Sequence, residues 1–237
     1  MVRGEAVIEF NNVSKIYKKE FTAVKSINLK IDNGEFLFIV GKSGAGKSTL
    51  IKLLLREITP SDGVISYNNQ DITKIRKRNV SQYRRKIGFV FQDYRLLPKM
   101  TVYENVAFAM EMICCPSKTI RREVPLVLSM VGLSDKAKYY PDELSGGEQQ
   151  RVAIARAVIN KPETIIADEP TGNLDPETSK EIMKILTEIN KRGTTVIMAT
   201  HDMNIVHNYP KRVVELNRGV IVRDMKAGGY VNEPKEV

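Results

Sequence analysis

The most constraining feature of this 237-residue chain is the stretch GKSGAGKST at residues 41–49. It matches the phosphate-loop pattern G-x-x-x-x-G-K-[ST], and it lies between the apolar run EFLFIV at 35–40 and the apolar stretch LIKLLLREI at 50–58. A buried strand, a glycine-rich turn and a helix in this order form the context that the motif requires. The sequence therefore predicts an α/β domain that binds a nucleoside triphosphate.

The residue types of this phosphate loop suit the chemistry of a triphosphate. Glycines let backbone N–H groups surround the phosphates, Lys47 adds positive charge at the β/γ oxygens, and the Ser48 hydroxyl can bind Mg²⁺. We therefore expect the whole loop to bind ATP–Mg²⁺. The predicted nucleotide-binding residues are Gly41, Lys42, Ser43, Gly44, Ala45, Gly46, Lys47, Ser48 and Thr49.

Two later apolar runs, ETIIADEP at 163–170 and TTVIMATH at 194–201, are predicted as buried strands that end in polar residues. At the end of the first strand, Asp168 can hold Mg²⁺ through water and Glu169 can accept a proton from an attacking water molecule. His201 ends the second and can hydrogen-bond near the γ-phosphate. Because ligands bind beyond the carboxyl ends of parallel strands, these groups are expected to meet the phosphate loop at one edge. The predicted catalytic residues are Lys47, Glu169 and His201.

The rest of the chain divides into a β-rich N-terminal part and a helical middle part. Alternating apolar residues at 26–32 predict a half-buried strand, and similar segments on either side predict an antiparallel β region. A later amphipathic helix is expected to be capped by Asp175 and ended by Gly193, and the strands around it imply a parallel sheet with a right-handed crossover. Residues 101–160 are expected to be mostly helical, with one helix broken or started at Pro125.

Composition excludes several classes of protein. The two cysteines, Cys114 and Cys115, are adjacent in sequence, so a disulfide scaffold is excluded and a reducing compartment fits. The longest apolar runs are far too short to span a bilayer, and charges interrupt the N-terminal residues before a signal-peptide pattern develops. These features favour a protein of the cytoplasm.

The net charge is +9, and much of the excess lies at residues 74–86, which hold seven basic residues and no acidic one. Three interpretations of this basic segment stay open: a solvated face, a contact with the cytoplasmic side of a membrane partner, and a nucleic-acid surface. Nucleic acid is the least favoured, because Tyr83 is the one aromatic residue interleaved with the charges. We therefore expect no nucleic-acid partner.

A second glycine-rich helix start lies in ELSGGEQQRVAIARA at 143–157, where backbone N–H groups can again face a phosphate. The helix after it is about 20 Å long at 1.5 Å per residue and leads into the strand that carries Asp168. If that strand ends at the nucleotide, the helix holds Ser145 away from the nucleotide of its own chain. We therefore predict an ATP-dependent homodimer with two-fold symmetry, in which each chain completes the other's site. The residues predicted to act across the dimer are Ser145, Gly146 and Gly147.

The stretch LSGGEQQR at 144–151 resembles the signature of ATP-binding-cassette (ABC) proteins, and the other motifs stand in the order that this family has. The resemblance covers nearly the whole chain. It implies an α/β fold of the P-loop NTPase, RecA-like type, with an N-terminal antiparallel β subdomain and a helical subdomain that carries the signature. The implied boundaries are about 5–92 and 161–223 for the β subdomain plus core, about 93–160 for the helical subdomain, and 224–237 for a tail.

The same resemblance implies roles for three further residues. Tyr17 looks like the aromatic residue that stacks on adenine. Gln92 looks like the glutamine that touches Mg²⁺ and relays the state of the nucleotide to a membrane partner. Asp175, in the stretch GNLD, looks like the residue that crosses the dimer interface. The predicted metal ligands are thus Ser48, Gln92 and Asp168.

Within the family, the chain is most similar to the FtsE-type group of cell-division ATPases, through the segments around Gln92, Asp175 and His201 and through the basic segment. The resemblance implies a detached ATPase subunit on the cytoplasmic face of the plasma membrane at the division site. Its implied partner is an FtsX-like integral membrane protein, which controls an extracellular peptidoglycan hydrolase. The alternative is the ATPase subunit of an ABC exporter or lipoprotein-release system, because these relatives share GNLD.

Overall fold

The structure, a computed structural model, describes residues 6–17 and 21–226. Most of the predicted tail at 224–237 therefore lies outside the described residues. The chain forms two compact units. The first unit comprises residues 1–77 and 197–237, and the second comprises residues 78–196. The predicted subdomain boundaries follow secondary-structure type instead of compactness, and they stay a prediction.

The helices and strands alternate along the chain, with the strands concentrated near its two ends. The strands are β1 (Ala6–Ile16), β2 (Thr22–Asp32), β3 (Phe36–Val40), β4 (Asp62–Tyr67), β5 (Gln70–Asp71), β6 (Ile87–Val90), β7 (Thr164–Asp168), β8 (Thr195–Thr200), β9 (Arg212–Asn217) and β10 (Val220–Met225). The α-helices are α1 (Lys47–Leu54), α2 (Val80–Arg84), α3 (Val102–Glu111), α4 (Ser117–Met130), α5 (Gly146–Val158), α6 (Pro176–Lys191) and α7 (Met203–Asn208).

The first unit contains the predicted antiparallel β region. Its four strands lie in the order β2-β1-β4-β5, and each neighbouring pair is antiparallel. Ile27, Leu29 and Ile31 of β2 are buried while the residues between them are exposed, as the alternation of the sequence predicts. The antiparallel β region is thus confirmed.

The phosphate loop of the first unit rises from a strand that is buried throughout. All five residues of β3 are buried, and β3 pairs in parallel with β9, which pairs antiparallel with β10. Arg212, at the start of β9, joins this sheet to neighbouring segments: it donates to Asp224 at 2.7 Å, to Glu35 at 3.1 Å and to the carbonyl of Lys30 at 2.8 Å. Hydrogen bonds to Asp224 and the charge of Glu35 raise the pKa of this guanidinium above its usual range. The strand next to β3 is therefore tied to its surroundings by a half-buried guanidinium with two acidic partners.

The second unit combines a parallel strand pair with helices α2 to α6. β6 and β7 pair in parallel, with Val90 opposite Ala167. Asp175 caps α6, as predicted, by accepting hydrogen bonds at 3.0 Å from the backbone N–H groups of Glu177 and Thr178. Gly193 follows the end of the helix with a φ of 98°, a conformation that favours glycine. The predicted amphipathic helix is confirmed.

The prediction of a helix boundary at Pro125 is wrong. α4 runs from Ser117 to Met130 with Pro125 inside it. Pro125 cannot donate to the carbonyl of Arg121, but both residues are exposed, so water can bond the freed carbonyl. A solvated proline therefore costs this helix one hydrogen bond without ending it.

Two expectations from composition can be compared with the described residues. Cys114 and Cys115 are free, in agreement with the exclusion of a disulfide scaffold. Over residues 6–17 and 21–226, none of the helices has the length and apolar character needed to cross a bilayer.

Candidate nucleotide site

The phosphate loop leaves its backbone bare on one side. Gly41, Gly44 and Gly46 have φ values of 148°, 78° and 108°, which side-chain-bearing residues rarely adopt. A Cβ on Gly44 would meet nothing within 4 Å, whereas one on Gly41 would collide with the carbonyl oxygen of Leu216. The loop therefore packs on the end of β9 with one face and presents peptide groups to open space with the other.

Helix α1 begins in this loop without a side-chain cap. Its N-cap residue is Gly46, and its first turn contains no acidic residue. The first N–H groups of a helix lack partners within the helix and carry the positive end of its dipole. This helix start is therefore suited to an anion such as a phosphate.

Lys47 lies at the centre of the loop and is 92% buried, with a relative exposure of 8%. Its Nζ donates to the carbonyl oxygen of Gly41 at 2.6 Å, so its charge is directed back across the loop. Ala45 is buried and accepts at 3.0 Å from the N–H of Gly219. The other predicted loop residues are accessible: Lys42, Ser43 and Ser48 are exposed, and Thr49 is half-buried.

Two further predicted residues belong to the first unit. His201 is exposed directly after the buried strand β8, which neighbours β3 in the sheet. Tyr17 is half-buried after β1; its N–H donates to the carbonyl of Phe21 at 2.9 Å, and the Nζ of Lys15 lies 5.5 Å from its ring centroid. Their proposed contacts with phosphate and adenine stay predictions.

Three predicted residues of the second unit lie at one edge of its strand pair: Gln92, Asp168 and Glu169. Because β6 and β7 are parallel, with Val90 opposite Ala167, Gln92 and Asp168 both follow the carboxyl ends of their strands. A Cβ on Gly172 would lie 3.2 Å from Gln92 Nε2 and 3.6 Å from Glu169 Cβ.

Glu169, at this edge, has a φ of 50°, a left-handed conformation that costs a non-glycine residue of order 1 kcal/mol or more. Such strain is common at functional sites because it fixes the direction of a side chain. The oxygen-bearing side chains of Gln92 and Asp168 are hard ligands of the kind that Mg²⁺ prefers. The edge of the second unit therefore fits the predicted metal and base chemistry.

The second glycine-rich helix start is closed by its own side chains. Ser145 is the N-cap of α5; its backbone N–H donates to Glu148 Oε2 at 2.8 Å, and its Oγ accepts at 3.3 Å from the N–H of Glu148. Lys136 pairs with the other oxygen of Glu148 at 3.4 Å. The hydrogen bond from the Ser145 backbone, with smaller help from Lys136, lowers the pKa of the Glu148 carboxyl. Glu148 was not predicted as a site residue, although the Ser-x-x-Glu spacing of a capping box is visible in the sequence.

The two glycines of this start lie against neighbouring loops of the second unit. A Cβ on Gly146 would lie 3.0 Å from the hydroxyl of Tyr94 and 3.5 Å from Leu174, and one on Gly147 would collide with the methyl group of Thr178. Asp175 accepts from the hydroxyl of Thr178 as well as from the backbone of α6, and these hydrogen bonds lower its pKa. The structure therefore brings the predicted cross-dimer residues Ser145, Gly146, Gly147 and Asp175 together on one side of the second unit.

A cavity of about 370 Å³ lies elsewhere in the second unit, near the loop after β6. Its lining contains no acidic residue. It includes three phenylalanines and four arginines: Phe89, Phe91, Phe108, Arg84, Arg85, Arg95 and Arg156. Arg84 and Arg85 belong to the basic segment. The cavity therefore suits an apolar surface that also carries negative charge.

Comparisons with known proteins agree with this geometry. The sequence profile described as ABC transporter matches residues 24–172. The chain is 53% identical to the cell division ATP-binding protein FtsE of Bacillus subtilis over 94% of the chain and 98% of that protein. It is 55% identical to the FtsE of Mycobacterium tuberculosis with the same coverages, and 47% identical to that of Escherichia coli over 90% of the chain and 96% of the relative.

Solved structures match over a similar extent. The ATP-binding cassette MJ0796, in a dimeric post-hydrolysis state bound to ADP and Pi, is 36% identical, with a TM-score of 0.84 over 94% of the chain and 100% of that structure. The cbiO1 protein of Clostridium perfringens, part of the ABC transporter complex cbiONQ, is 34% identical, with a TM-score of 0.88 over 94% and 89%. The predicted α/β cassette fold is thus confirmed.

Proposed function

Since the chain belongs to the ABC transporter family, we propose that it is the ATP-hydrolysing subunit of a membrane complex that acts in cell division. ATP binding and hydrolysis are general properties of this family of ATPases. The observation that carries the division role is its identity of 47–55% with FtsE proteins over at least 90% of the chain and at least 96% of each relative. The finer roles of its residues are part of the same proposal, and the geometry of each unit supports them.

ATP binds at the phosphate loop in this proposal. The uncapped start of α1 and the bare peptide groups around Gly44 receive the phosphate oxygens. Lys47 exchanges its contact with the Gly41 carbonyl for the β/γ-phosphate, which is a stronger, charge-assisted partner. Tyr17 stacks on the adenine ring, and the N–H groups of the loop hold the triphosphate in register.

Three oxygen-bearing residues would hold the Mg²⁺ of the complex with ATP. Ser48 supplies a hydroxyl, Asp168 a carboxylate that acts through water, and Gln92 an amide oxygen. When bound, Mg²⁺ neutralises charge on the β- and γ-phosphate oxygens. Gln92 is exposed, so its amide can turn toward a ligand.

Glu169 accepts the proton of the attacking water as the water oxygen bonds to the γ-phosphorus, while the bond from this phosphorus to the β,γ-bridging oxygen breaks and ADP leaves. Its left-handed backbone conformation directs the carboxylate from the end of β7, and Gly172 allows the close approach of Gln92. Lys47 and His201 stabilise the charge that develops on the γ-phosphate oxygens. These three side chains are the proposed catalytic residues.

A second copy of the chain completes each nucleotide site. Ser145, Gly146 and Gly147 present the start of α5 to the γ-phosphate bound by the partner, and Asp175 lies at the same interface. The positive end of the α5 dipole attracts the anion. Hydrolysis removes the phosphate that both chains share, so the dimer then opens. The dimeric MJ0796 cassette bound to ADP and Pi supports this arrangement by its similarity.

The hydrolytic role is tested with Glu169→Gln. A general base contributes roughly 10²–10⁴-fold, so we expect turnover to fall about 1,000-fold while ATP binding is retained. ATP should also convert this variant into a stable dimer, measured by light scattering. Glu163→Gln is the matched control, because Glu163 is an exposed glutamate just before β7. Unchanged turnover in Glu169→Gln would remove Glu169 from its role.

The membrane partner is an FtsX-like protein that docks at the arginine-lined cavity near the loop after β6. ATP-driven changes in the dimer are passed to this partner, which controls a peptidoglycan hydrolase outside the cell. The ATPase thus acts at the cytoplasmic face of the plasma membrane, at the division site. The arginines and phenylalanines of its lining support a partner segment with both acidic and apolar side chains.

Co-purification from membranes identifies this partner. A four-helix membrane protein with one large extracellular loop supports the division role, and its recovery should fall with Arg84→Glu. Lys118→Glu is a matched control, because Lys118 is exposed on α4 and does not line the cavity. Recovery of a lipoprotein-release or efflux permease instead would replace the division role with the export alternative.

A further inference from the structure

The loop after β6 holds a strained backbone conformation. Tyr94 and Arg95 are consecutive non-glycine residues with φ values of 58° and 50°. Each left-handed residue of this kind is strained and persists only where surrounding contacts hold it. Because Gln92 lies two residues before this pair, whatever holds the pair also limits where Gln92 can point.

Arg156 supplies two of those contacts from the opposite end of helix α5. Its two terminal nitrogens donate to the carbonyl oxygen of Arg95 at 2.6 Å and to that of Tyr94 at 2.8 Å. Hydrogen bonds from a charged donor are about twice as strong as neutral ones. Burial lowers the pKa of Arg156, which reflects a guanidinium withdrawn from water onto these carbonyls. One side chain thus fixes both strained peptide groups.

The same loop touches the other end of α5. The hydroxyl of Tyr94 lies 3.0 Å from the position of a Cβ on Gly146, the first residue of the helix. Gly146 directly follows Ser145, and it precedes Arg156 by ten residues, about 15 Å along the helix axis. The strained loop therefore contacts α5 at both ends, through Arg156 and through Tyr94.

We infer that Arg156 is a positioning residue that makes the loop carrying Gln92 and the helix start carrying Ser145 move as one body. Arg156 touches neither ATP nor Mg²⁺ in this account. It sets the distance and direction between the residue that meets the metal and the residue that meets the partner chain's phosphate. The inference rests on the proposed function for its kinetic consequence, whereas the mechanical link is a property of the second unit alone.

The pair of hydrogen bonds from Arg156 to the carbonyls of Tyr94 and Arg95 requires the shape of arginine as well as its charge. A guanidinium presents two parallel donors in a fixed plane, and these match two successive carbonyl groups. A lysine at this position carries the same charge but has one nitrogen, which can satisfy one carbonyl at a time. Arg156→Lys should therefore loosen the loop in part, and Arg156→Met should release it.

Hydrogen exchange of the full chain tests the link without any need for hydrolysis. In Arg156→Met, the backbone N–H groups of residues 94–97 and of residues 146–149 should both exchange at least 5-fold faster, with Arg156→Lys between this variant and the wild type. Arg151→Lys is the control, since Arg151 lies on the same helix but pairs with Glu181 at 2.6 Å. Faster exchange confined to residues 94–97, or no change in either segment, overturns the inference.

Steady-state hydrolysis gives the second measurement. Small misplacement of reacting groups lowers turnover steeply, so we expect kcat to fall about 10-fold in Arg156→Met while KM for ATP stays within about 2-fold. The inference is overturned by a rise in KM as large as the fall in kcat, or by an unchanged kcat. It is also overturned if the Arg156→Lys variant equals the wild type in both measurements. If Arg156→Met does not fold, Arg156→Lys carries both measurements. A wild-type chain that fails to hydrolyse ATP contradicts the proposed function and leaves the exchange measurement to decide the link.

Discussion

The two glycine-rich helix starts of this chain differ in what satisfies their first backbone N–H groups. At the phosphate loop, α1 begins after Gly46, without a side-chain cap and without an acidic residue in its first turn. At the second start, Ser145 and Glu148 form a reciprocal capping box, and Lys136 neutralises the carboxylate. One start has no side-chain cap, and the other has already satisfied some of its N–H groups from its own chain.

This difference gives the two starts different roles in the proposed dimer. An uncapped helix start within a bare glycine loop is a primary phosphate site, because an incoming anion gains hydrogen bonds that the free protein lacks. A capped start gains less from a phosphate, since part of its hydrogen-bonding capacity is already used. The capped start therefore depends on a nucleotide held elsewhere, which fits a site that a second chain completes.

The largest effect is expected from Lys47→Ala, which tests the uncapped start. Two charge-assisted contacts at roughly 1.5–2 kcal/mol each correspond to a loss of about 300-fold in ATP affinity. Isothermal titration calorimetry measures this affinity. Lys52→Ala, which removes an exposed lysine of the same helix, should bind ATP like the wild type. Equal losses in the two variants would mean that general positive charge, and not the loop, holds the nucleotide.

Ser145→Ala tests the capped start and should separate binding from turnover. Loss of one donor to the transferring phosphate lowers kcat by about 100-fold, while ATP affinity, which depends on the phosphate loop, stays unchanged. The missing cap also costs about 1 kcal/mol of folding stability, so a thermal melt accompanies the assay. A wild-type rate in this variant, or a loss of affinity as large as that of Lys47→Ala, would contradict the division of roles.

The smallest effect concerns the charge of Glu148 and its pH dependence. Its pKa in the folded chain is below the ordinary value of 4.5, so the charged form stabilises the fold above pH 4.5 and loses this contribution as pH falls through the lowered pKa. Glu148→Gln keeps the capping geometry but removes the charge. Its melting temperature should therefore lie slightly below that of the wild type at pH 6. The corresponding difference in the free energy of unfolding should be less than about 1 kcal/mol and should become smaller toward pH 3.5. A gap that widens on acidification would refute this assignment.

Features encoded over short stretches of sequence were predictable. The continuous apolar run of β3, the alternation of Ile27, Leu29 and Ile31, and the cap at Asp175 all appear as predicted. Each depends on neighbours within a few positions, where side-chain periodicity and capping chemistry act directly. The phosphate loop belongs to this group, because its glycines define the backbone at their own positions.

Other elements escaped the sequence reasoning for physical reasons. β6 is four residues long and contains Gly88, and residues 222–224 of β10 are exposed, so neither strand shows a strong strand pattern. Pro125 was given too much weight, because solvent can satisfy the carbonyl that it frees. In the site, Glu148 could have been found from its spacing to Ser145, whereas Thr178 and Tyr94 carry no local signal of their contacts with the glycines.

By itself, the sequence determined the family and the phosphate-loop motif and predicted the site residues, because these depend on residue type at fixed local spacing. The tertiary structure alone decided that Arg156 donates hydrogen bonds to carbonyl groups 61 and 62 positions earlier in the chain. It also decided that the methyl group of Thr178 lies against Gly147. Such contacts depend on how α5 and the loops beside it pack, which no local pattern encodes. The fold therefore settled how the predicted site residues are held, whereas the sequence supplied the prediction of which residues they are.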